Sequence, residues 1–390
     1  MKATEYDVLV VGGGIHGAGV AQAAAATGRT ALLLEARGPA AGTSSRSSKL
    51  IHGGLRYLES FELSLVAESL AEREILLTTA PHLVRLVDFH VPIYKQTSRR
   101  PWELRAGLSL YALLGHLRPS TRFQKLKRSA WGDLDGLKTE GLQAVFRYSD
   151  GQTNDARLVR SVLASAEALG CEICHPAELL SATREERGWL VHYRYEEEER
   201  EVRAATLVNA SGPWIEHVRR RISPTPDGRA VDLVSGTHLE LAGTLERGIY
   251  YTEAPRDRRA VFTMPWKDRI LLGTTERTHK SDPAEVAPTK EEEDYLLETY
   301  SHYFPGTPEV LDSWAGLRVL PRAAKDAFHR SRETLLFHDD PQIPRYVGIY
   351  GGKLTGYRAT ADRVLGTLSL ALPVRPHKAD TRTLRLPEVD

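Results

Sequence analysis

VLVVGGGIHGAGVAQAAAATGRTALLLE, residues 8–35, decides the fold. Val8 to Val11 is an apolar run with the character of a buried parallel strand. It leads straight into Gly12-x-Gly14-x-x-Gly17, an alanine-rich helical stretch, Gly28, a second apolar run (Ala31–Leu34) and Glu35. This strand–turn–helix–strand context gives a glycine pattern its meaning. Gly12 permits the tight turn, Gly14 lets the backbone approach a pyrophosphate, and Gly17 lets the helix pack on the strand. The helix N-terminus offers unpaired N–H groups and a partial positive charge to phosphates. Glu35 ends the second strand, where a carboxylate accepts hydrogen bonds from the ribose hydroxyls of an adenosine. The motif alone does not separate FAD from NAD.

Length and composition frame the rest. The chain has 390 residues, enough for two or three domains with a substantial core. Its formal net charge is +1, so bulk charge does not point to nucleic acid. The first strand begins within the first ten residues, and no N-terminal signal segment is visible. The longest apolar stretch, Ala106 to Leu114, is too short to span a bilayer. Two cysteines argue against a disulfide framework and for a reducing, cytoplasmic compartment. Those two, in Cys171-Glu-Ile-Cys174-His175, match the spacing of a haem-attachment or redox motif. The segment follows a helical stretch (Asp155–Leu169) and Gly170, so it reads as a strand. Strand residues three apart lie about 10 Å apart on opposite faces, and such thiols cannot bridge. The sequon Asn209-Ala-Ser211 ends another buried strand and reads as structural for the same reason.

Along the chain the βα rhythm is interrupted twice. Residues 62–80 form a helix with Leu63, Val66 and Leu70 on one side. Residues 81–149 break the rhythm, and it returns at 155–175. Residues 189–208 form a hairpin around Glu196–Glu199, an acidic turn that is a solvated loop rather than a site. Further strands, Val261–Met264 and Arg269–Gly273, and a capped helix from Thr289 follow. Arg345–Tyr350 is the last strand of the nucleotide domain, meeting Gly351-Gly352 and a helix from Thr355 onward. The resulting division is 1–80, 150–212 and 345–372 for the nucleotide domain, 81–149 and 213–344 for a substrate domain, and 373–390 for a tail.

Three small-residue clusters converge on one chemistry. TSSRSSKLIHGGLRYLE (43–59) begins as a hydroxylated loop suited to close approach to a diphosphate and ribityl chain. YGGKLTGYR (350–358) ends a strand in a glycine pair at a helix start, where N–H groups can stabilise an anionic reduced flavin ring. VNASGPW (208–214) ends another strand in a small-residue turn.

With AEREILLTTAPHL, SGTHL, LLGTTE and GLRVLPR, these blocks resemble the FAD-dependent sn-glycerol-3-phosphate dehydrogenases from about residue 5 to 365. The resemblance implies an α/β and α+β chain. Its discontinuous FAD-binding domain is Rossmann-type, of the glutathione-reductase kind, and its substrate domain has a mixed sheet. It implies oxidation of sn-glycerol 3-phosphate to dihydroxyacetone phosphate, with hydride passing from C2 to flavin N5 and electrons leaving to quinone, or to oxygen in the related oxidases. The cofactor positions it implies are Gly12, Gly14, Gly17, Glu35, Thr43, Ser44, Ser45, Ser47, Ser48, Lys49, Gly53, Gly54, Ala210, Gly212, Gly351, Gly352, Leu354 and Thr355. Arg318 and Arg332 resemble phosphate ligands. Arg56, Tyr57, Lys353 and Thr355 resemble residues lining the site near the flavin, with Lys353 counted beside Arg318 among the catalytic candidates. His238 resembles the general base. No metal is implied.

The chemistry asks for the same residue types. A phosphate monoester carries nearly two negative charges and favours arginine forks. A histidine titrating near neutrality suits removal of a hydroxyl proton. The chain departs from the family pattern in Val319-Leu320-Pro321 after the GLR arginine, in Gly356 for a second threonine, and in stopping at Asp390 where members usually continue with a helical domain. Lys95 to Trp131 holds nine Lys or Arg and one acid, Glu103, around a leucine-rich stretch. That segment reads as an amphipathic interfacial element that would bring the reduced flavin near lipid-soluble quinone, on the inner face of the cell membrane. An ordinary basic rim of the substrate domain is the other reading of it. Two alternatives in function stay open: another FAD oxidase of this fold acting on an amine or a 2-hydroxy acid, and a non-catalytic flavin-binding or redox-sensing protein. The physiological acceptor and the oligomeric state are not set by the sequence.

Overall fold

A computed structural model of the protein describes residues 5–322 and 333–389. Two sheets organise the chain. The core of the first is parallel and runs Glu172–Cys174, Ala31–Leu34, Glu5–Val11, Glu198–Asn209 and Tyr346–Tyr350. Val8, Val10, Ala31, Leu33 and Cys171 pack toward the helices Ile15–Ala26, Asp155–Ala168 and Tyr357–Thr367. Leu9, Val11, Leu32, Leu34 and Cys174 pack toward the opposite layer, with Leu179, Trp189, Val191 and Tyr193. Both faces are covered, which is why these strands are apolar without alternation. The helix Ile15–Ala26 is alanine-rich because nearly every side of it is buried. A Cβ at Gly19 would already come within 2.7 Å of the Tyr357 ring.

The opposite layer is a meander, Ala177–Glu185, Gly188–Tyr195 and Glu198–Asn209. Its hairpin turn has Glu196 and Glu197 at φ 52° and 64°, the left-handed pair that a two-residue hairpin needs. The long strand Glu198–Asn209 serves twice: Glu198–Ala204 pairs antiparallel within the meander, and Arg203–Asn209 pairs parallel with the first strand. The strand Ala177–Glu185 was not among the sequence expectations, because its polar and apolar residues do not alternate cleanly.

The second sheet is mixed. Its central strands are Arg85–Tyr94, Leu142–Gln152, Ile249–Glu253, Ala260–Trp266, Arg269–Gly273, Val231–Leu241 and Val310–Pro321. The helix Lys290–Tyr303 packs on one face through Leu296 and Tyr300. The helices Leu63–Thr79 and Pro101–Leu114 pack on the other through Val66, Leu70, Leu104 and Leu108. Thr289 and Glu292 form the capping box expected at the start of Lys290–Tyr303.

The sheets do not divide where the sequence suggested. Leu50–Ile51 and Leu142–Gln152 belong to the second sheet, while Ile222–Ser223 and Leu335–His338 belong to the first. Short segments thus cross the expected division at 80, 150, 213 and 345, because sheet membership follows long-range pairing rather than chain order. The tail also packs. Lys378 and Ala379 donate to the Ala26 carbonyl, Leu386 donates to Thr79, and the Leu386 side chain is buried in the first core.

One helix ties the halves together. On Leu63–Thr79, Glu72 accepts from Arg358 at 2.5 and 2.9 Å, and Arg358 sits on a helix of the first sheet. The next residue, Arg73, is fully buried and donates at 2.8 Å to Asp150, on a strand of the second sheet. Removing one member of such a pair leaves a buried charge and costs about 3–5 kcal/mol.

The two cysteines behave as the strand reading requires. Burial and the nearby Glu172 carboxylate push the Cys171 thiol up to about 12 and the Cys174 thiol up to about 11. Cys174 ends the strand Glu172–Cys174 and Cys171 immediately precedes it, and the two are buried in different cores. Asn209 is likewise buried, donating to the Ile215 carbonyl at 3.0 Å. Native protein treated with an aromatic disulfide reagent at pH 8 should therefore release almost no thiolate, and both thiols should react once denaturant is added. Prompt native-state labelling would contradict this placement.

Candidate active site

A cleft of about 790 Å³ opens at the C-terminal edge of the parallel strands and continues between the two sheets. Its glycine loop follows the first strand. Gly12 has φ +111°, and a Cβ there would lie 2.7 Å from the Ala210 carbonyl oxygen. A Cβ on Gly17 would lie 1.8 Å from the Gly12 carbonyl oxygen. Both glycines are thus demanded by packing. Gly14 differs: its backbone is ordinary extended chain, and a Cβ there would meet only Ser44 Oγ, at 3.2 Å, within the cleft. The space over Gly14 is a cradle at a helix N-terminus, with the Ile15 N–H donating to Ser44 Oγ at 3.0 Å. Glu35 lines the same region and also braces it. Its carboxylate accepts from the N–H groups of Gly13 at 2.5 Å and Arg37 at 2.8 Å.

The hydroxylated loop splits into two roles. Thr43, Ser44, Ser47 and Ser48 line the cleft; Ser45, Lys49, Gly53 and Gly54 do not. Lys49 turns its ammonium to Asp155 at 2.8 Å and to the Ser45 carbonyl at 2.6 Å. Gly53 donates to Tyr111 Oη at 3.0 Å, and Tyr111 in turn donates to Asp150 at 2.5 Å. These residues hold the loop rather than wall the cleft.

At the other glycine pair, Gly351 and Gly352 have φ +75° and +103°. A Cβ on Gly352 would lie 2.2 Å from His16 Nε2. Thr355 is buried and accepts from the His52 N–H at 3.1 Å. Lys353 Nζ sits 3.8 Å from the centroid of the Tyr57 ring and 3.3 Å from Ser69 Oγ. Arg56, in the short turn Leu55–Leu58, lies outside the cleft wall. Ala210, Gly212 and Leu354 line it.

Arg318 and His238 face the cleft from adjacent paired strands, Val310–Pro321 and Val231–Leu241. Arg318 donates to Glu276 at 3.2 Å. His238 is buried, its Nε2 2.9 Å from Ser48 Oγ and its ring stacked 5.6 Å from Trp314. A Cβ on Gly273 would lie 2.3 Å from that ring, so the imidazole needs glycine beside it. Burial, then the charges of Arg318 and Lys49, lower its pKa to about 3, so the ring is neutral. The expectation of a histidine titrating near neutrality does not describe this pocket. Arg332 lies outside the described residues.

Residues 7–356 match the model of the family described as DAO, FAD dependent oxidoreductase. The chain belongs to the FAD-dependent oxidoreductase family. A glycerol-3-phosphate dehydrogenase of Pseudomonas aeruginosa is 39% identical, over 93% of this chain and 71% of that protein. A D-erythritol 1-phosphate dehydrogenase of Brucella abortus is 37% identical, over 94% and 74%. The structure of a Bacillus halodurans glycerol-3-phosphate dehydrogenase complexed with FAD superposes with a TM-score of 0.74, at 27% identity, over 98% of this chain and 68% of that one.

The residues of this flavoprotein fit FAD. The space over Gly14 would accommodate a pyrophosphate, with the carboxylate of Glu35 beside it. The cleft volume of about 790 Å³ lies in the range of cofactor and small-molecule sites. Sequence reasoning missed His16, His52, Arg37 and Trp214. His16 and His52 stand inside quoted motifs at positions the motifs leave unspecified. Arg37 stacks on Trp214 at 4.3 Å across residues far apart in the chain.

Two outcomes follow from this geometry. Gly14→Ala should fold and melt close to wild type yet purify without flavin, whereas Gly17→Ala should fail to fold stably. A yellow Gly14→Ala protein would refute the cradle. Second, burial lowers His16 and His52 to about 4 and His238 to about 3. Below about pH 6.5 the unfolded chain binds protons that the folded apoprotein refuses, so stability falls with pH, by about 1.4 kcal/mol per unit per histidine. Urea titrations of apoprotein between pH 7.5 and 5 should show this loss, and His52→Gln should reduce its slope.

Proposed function

We propose that the protein oxidises sn-glycerol 3-phosphate to dihydroxyacetone phosphate and passes the electrons to a quinone at a membrane surface. One observation carries the reading: a guanidinium already oriented by a carboxylate, Arg318 with Glu276, opens on the same cleft as the uncharged, buried His238. When bound, FAD supplies the hydride acceptor, N5. Arg318 binds the phosphate as a two-pronged donor, with Arg332 as the second phosphate ligand. Lys353, Tyr57 and Thr355, which line the cleft, shape and orient the remainder of the substrate. His238 takes the C2 hydroxyl proton on its uncharged imidazole, whose Nε2 lies 2.9 Å from Ser48 Oγ. A bound dianion offsets the Arg318 charge that holds the imidazole pKa down, so the base strengthens when substrate arrives.

A second reading, a longer polyol phosphate, is favoured by the 37% identity to the D-erythritol 1-phosphate dehydrogenase. It keeps the same phosphate and adds one hydroxylated carbon. Anaerobic mixing separates the readings. Glycerol 3-phosphate should bleach the flavin in preference to erythritol phosphate, glycine and glycerate. Bleaching by free glycerol to the same extent would remove phosphate recognition. Arg318→Ala should keep its FAD and lose about 2–4 kcal/mol of substrate recognition, about 30- to 1,000-fold in the reductive step. Arg318→Lys should not restore it.

The membrane part of the reading is supported by the helix Pro101–Leu114. Leu104, Leu108 and Tyr111 are buried, while Trp102 and Leu113, three turns apart on the outer face, are 70% and 60% exposed. Leu117, beyond the helix end, is also exposed, at 63%. Among the described residues no helix is long and apolar enough to cross a membrane. Arg99 does not belong to the basic face: it is held by Glu253 at 3.2 Å and by Glu59. Arg105, Arg122, Lys125, Lys127 and Arg128 are exposed. Changing those five to glutamine should release the protein from anionic vesicles, since each contributes about 1 kcal/mol. Turnover with a lipid-soluble quinone should fall, and turnover with a water-soluble dye should not. Wild-type protein indifferent to anionic vesicles at low salt would end the membrane reading.

A further inference from the structure

Behind the cleft lies a buried ion pair that the chemistry above does not use. Asp155 is fully buried at the start of the helix Asp155–Ala168, and Lys49 is 6% exposed. Both carboxylate oxygens are engaged. Oδ2 accepts from the Ser47 N–H at 3.0 Å and the Ser47 hydroxyl at 2.7 Å. Oδ1 accepts from the Lys49 ammonium at 2.8 Å and the Ala156 N–H at 2.9 Å. Lys49 has φ +60°, a left-handed conformation that a side-chain-bearing residue keeps only when its surroundings enforce it.

Two routes run from this pair to one ring. Ser48, between Ser47 and Lys49 in the chain, puts its hydroxyl 2.9 Å from His238 Nε2. The Lys49 ammonium also lies 5.2 Å from the centroid of the Trp314 ring, and Trp314 stacks on His238 with 14° between the planes. Serine and tryptophan thus fix two aspects of the imidazole, the partner of one nitrogen and the tilt of its plane. Each is set by a group that the Asp155–Lys49 pair holds.

We propose that Asp155 and Lys49 form a buried positioning pair that fixes Ser48 and Trp314 against His238. Neither is a catalytic residue, since neither lines the cleft. The proposal rests on His238 being the base of the proposed reaction. The charged groups facing the ring are Arg318, from the strand Val310–Pro321, and Lys49, from the loop; Glu276 pairs with the first and Asp155 with the second. Ser48, Trp314 and Gly273, the other neighbours, are uncharged. Lys49 therefore has an electrostatic effect on the imidazole that Asp155 alone does not supply, and the two residues can be told apart.

Three FAD-loaded variants, Asp155→Asn, Lys49→Met and the double variant, test the pair by anaerobic flavin bleaching with glycerol 3-phosphate from pH 5 to 8. Melting temperature and flavin content are measured in parallel. Asp155→Asn keeps the ammonium but loses the clamp, so bleaching should slow at least tenfold with the pH profile unchanged. Lys49→Met and the double variant lose the clamp and also the lesser of the two charges that disfavour imidazolium, so they should slow at least tenfold with the acid side of the profile moved to higher pH than in wild type. The double variant leaves no buried unpaired charge and remains readable if either single variant loses its fold. Flavin-loaded variants with the wild-type rate and profile would overturn the proposal. So would folded variants that only lose FAD, which would make the pair a cofactor-loop anchor. Failure of all three to fold would overturn it too, reducing the pair to scaffolding. If glycerol 3-phosphate fails to bleach wild-type flavin, it is the proposed reaction that falls, an outcome visible before any variant is made.

Discussion

Parallel strands ending at one edge are the constraint on which the rest of this molecule depends. Gly12 follows Glu5–Val11, Glu35 follows Ala31–Leu34, Ala210 follows Glu198–Asn209, and Gly351 follows Tyr346–Tyr350. Their register brings four separate turns to the same crevice. Ligands bind outside the carboxyl ends of such strands because the helix that follows begins there, with its N–H groups directed outward. The apolar packing of both faces therefore supplies more than stability: it fixes the relative height of strand ends that carry the chemistry. A slip of one residue would move Glu35 away from Gly13 and reverse every side chain between the two cores.

The glycine loop, Glu35, the cysteine strand and the hairpin at Glu196 were legible because each is a local arrangement with a steric or hydrogen-bonding cause. That Arg318 and His238 face one cleft was legible only through the motif blocks around them. What escaped was non-local. Ala177–Glu185 is defined by pairing with its neighbour rather than by its own pattern. Leu50–Ile51 and Leu335–His338 are too short to announce a sheet. Asp155 looked like the first residue of a helix, and its role depends on a loop more than a hundred residues earlier. Lys49, Gly53 and Gly54 sit in a motif that borders the cofactor site, yet their contacts face inward. A motif marks a neighbourhood, while the direction of a side chain is decided by packing.

His238 illustrates how environment redefines a residue type. In water an imidazole is half-protonated near neutrality, and its charge state would fluctuate in any active site. Here it is enclosed by tryptophan, serine and glycine, with two cations in range. The protein spends solvation free energy to keep it uncharged. The neutral ring retains a lone pair, and incoming negative charge changes how readily that lone pair takes a proton. In the proposed reaction, selectivity for an anionic substrate and readiness of the base would thereby be linked through a single guanidinium.

The consecutive residues Glu72 and Arg73 have a mechanical meaning. Adjacent side chains of a helix point about 100° apart, so one short segment grips partners in two directions. A rotation of one half about the other would have to tear a carboxylate from Arg358 or a guanidinium from Asp150, both in dry surroundings. The segment acts as a dowel across the joint. Any movement that widened the gap between the halves would therefore carry the cost of leaving a buried charge without its partner, about 3–5 kcal/mol for each pair broken.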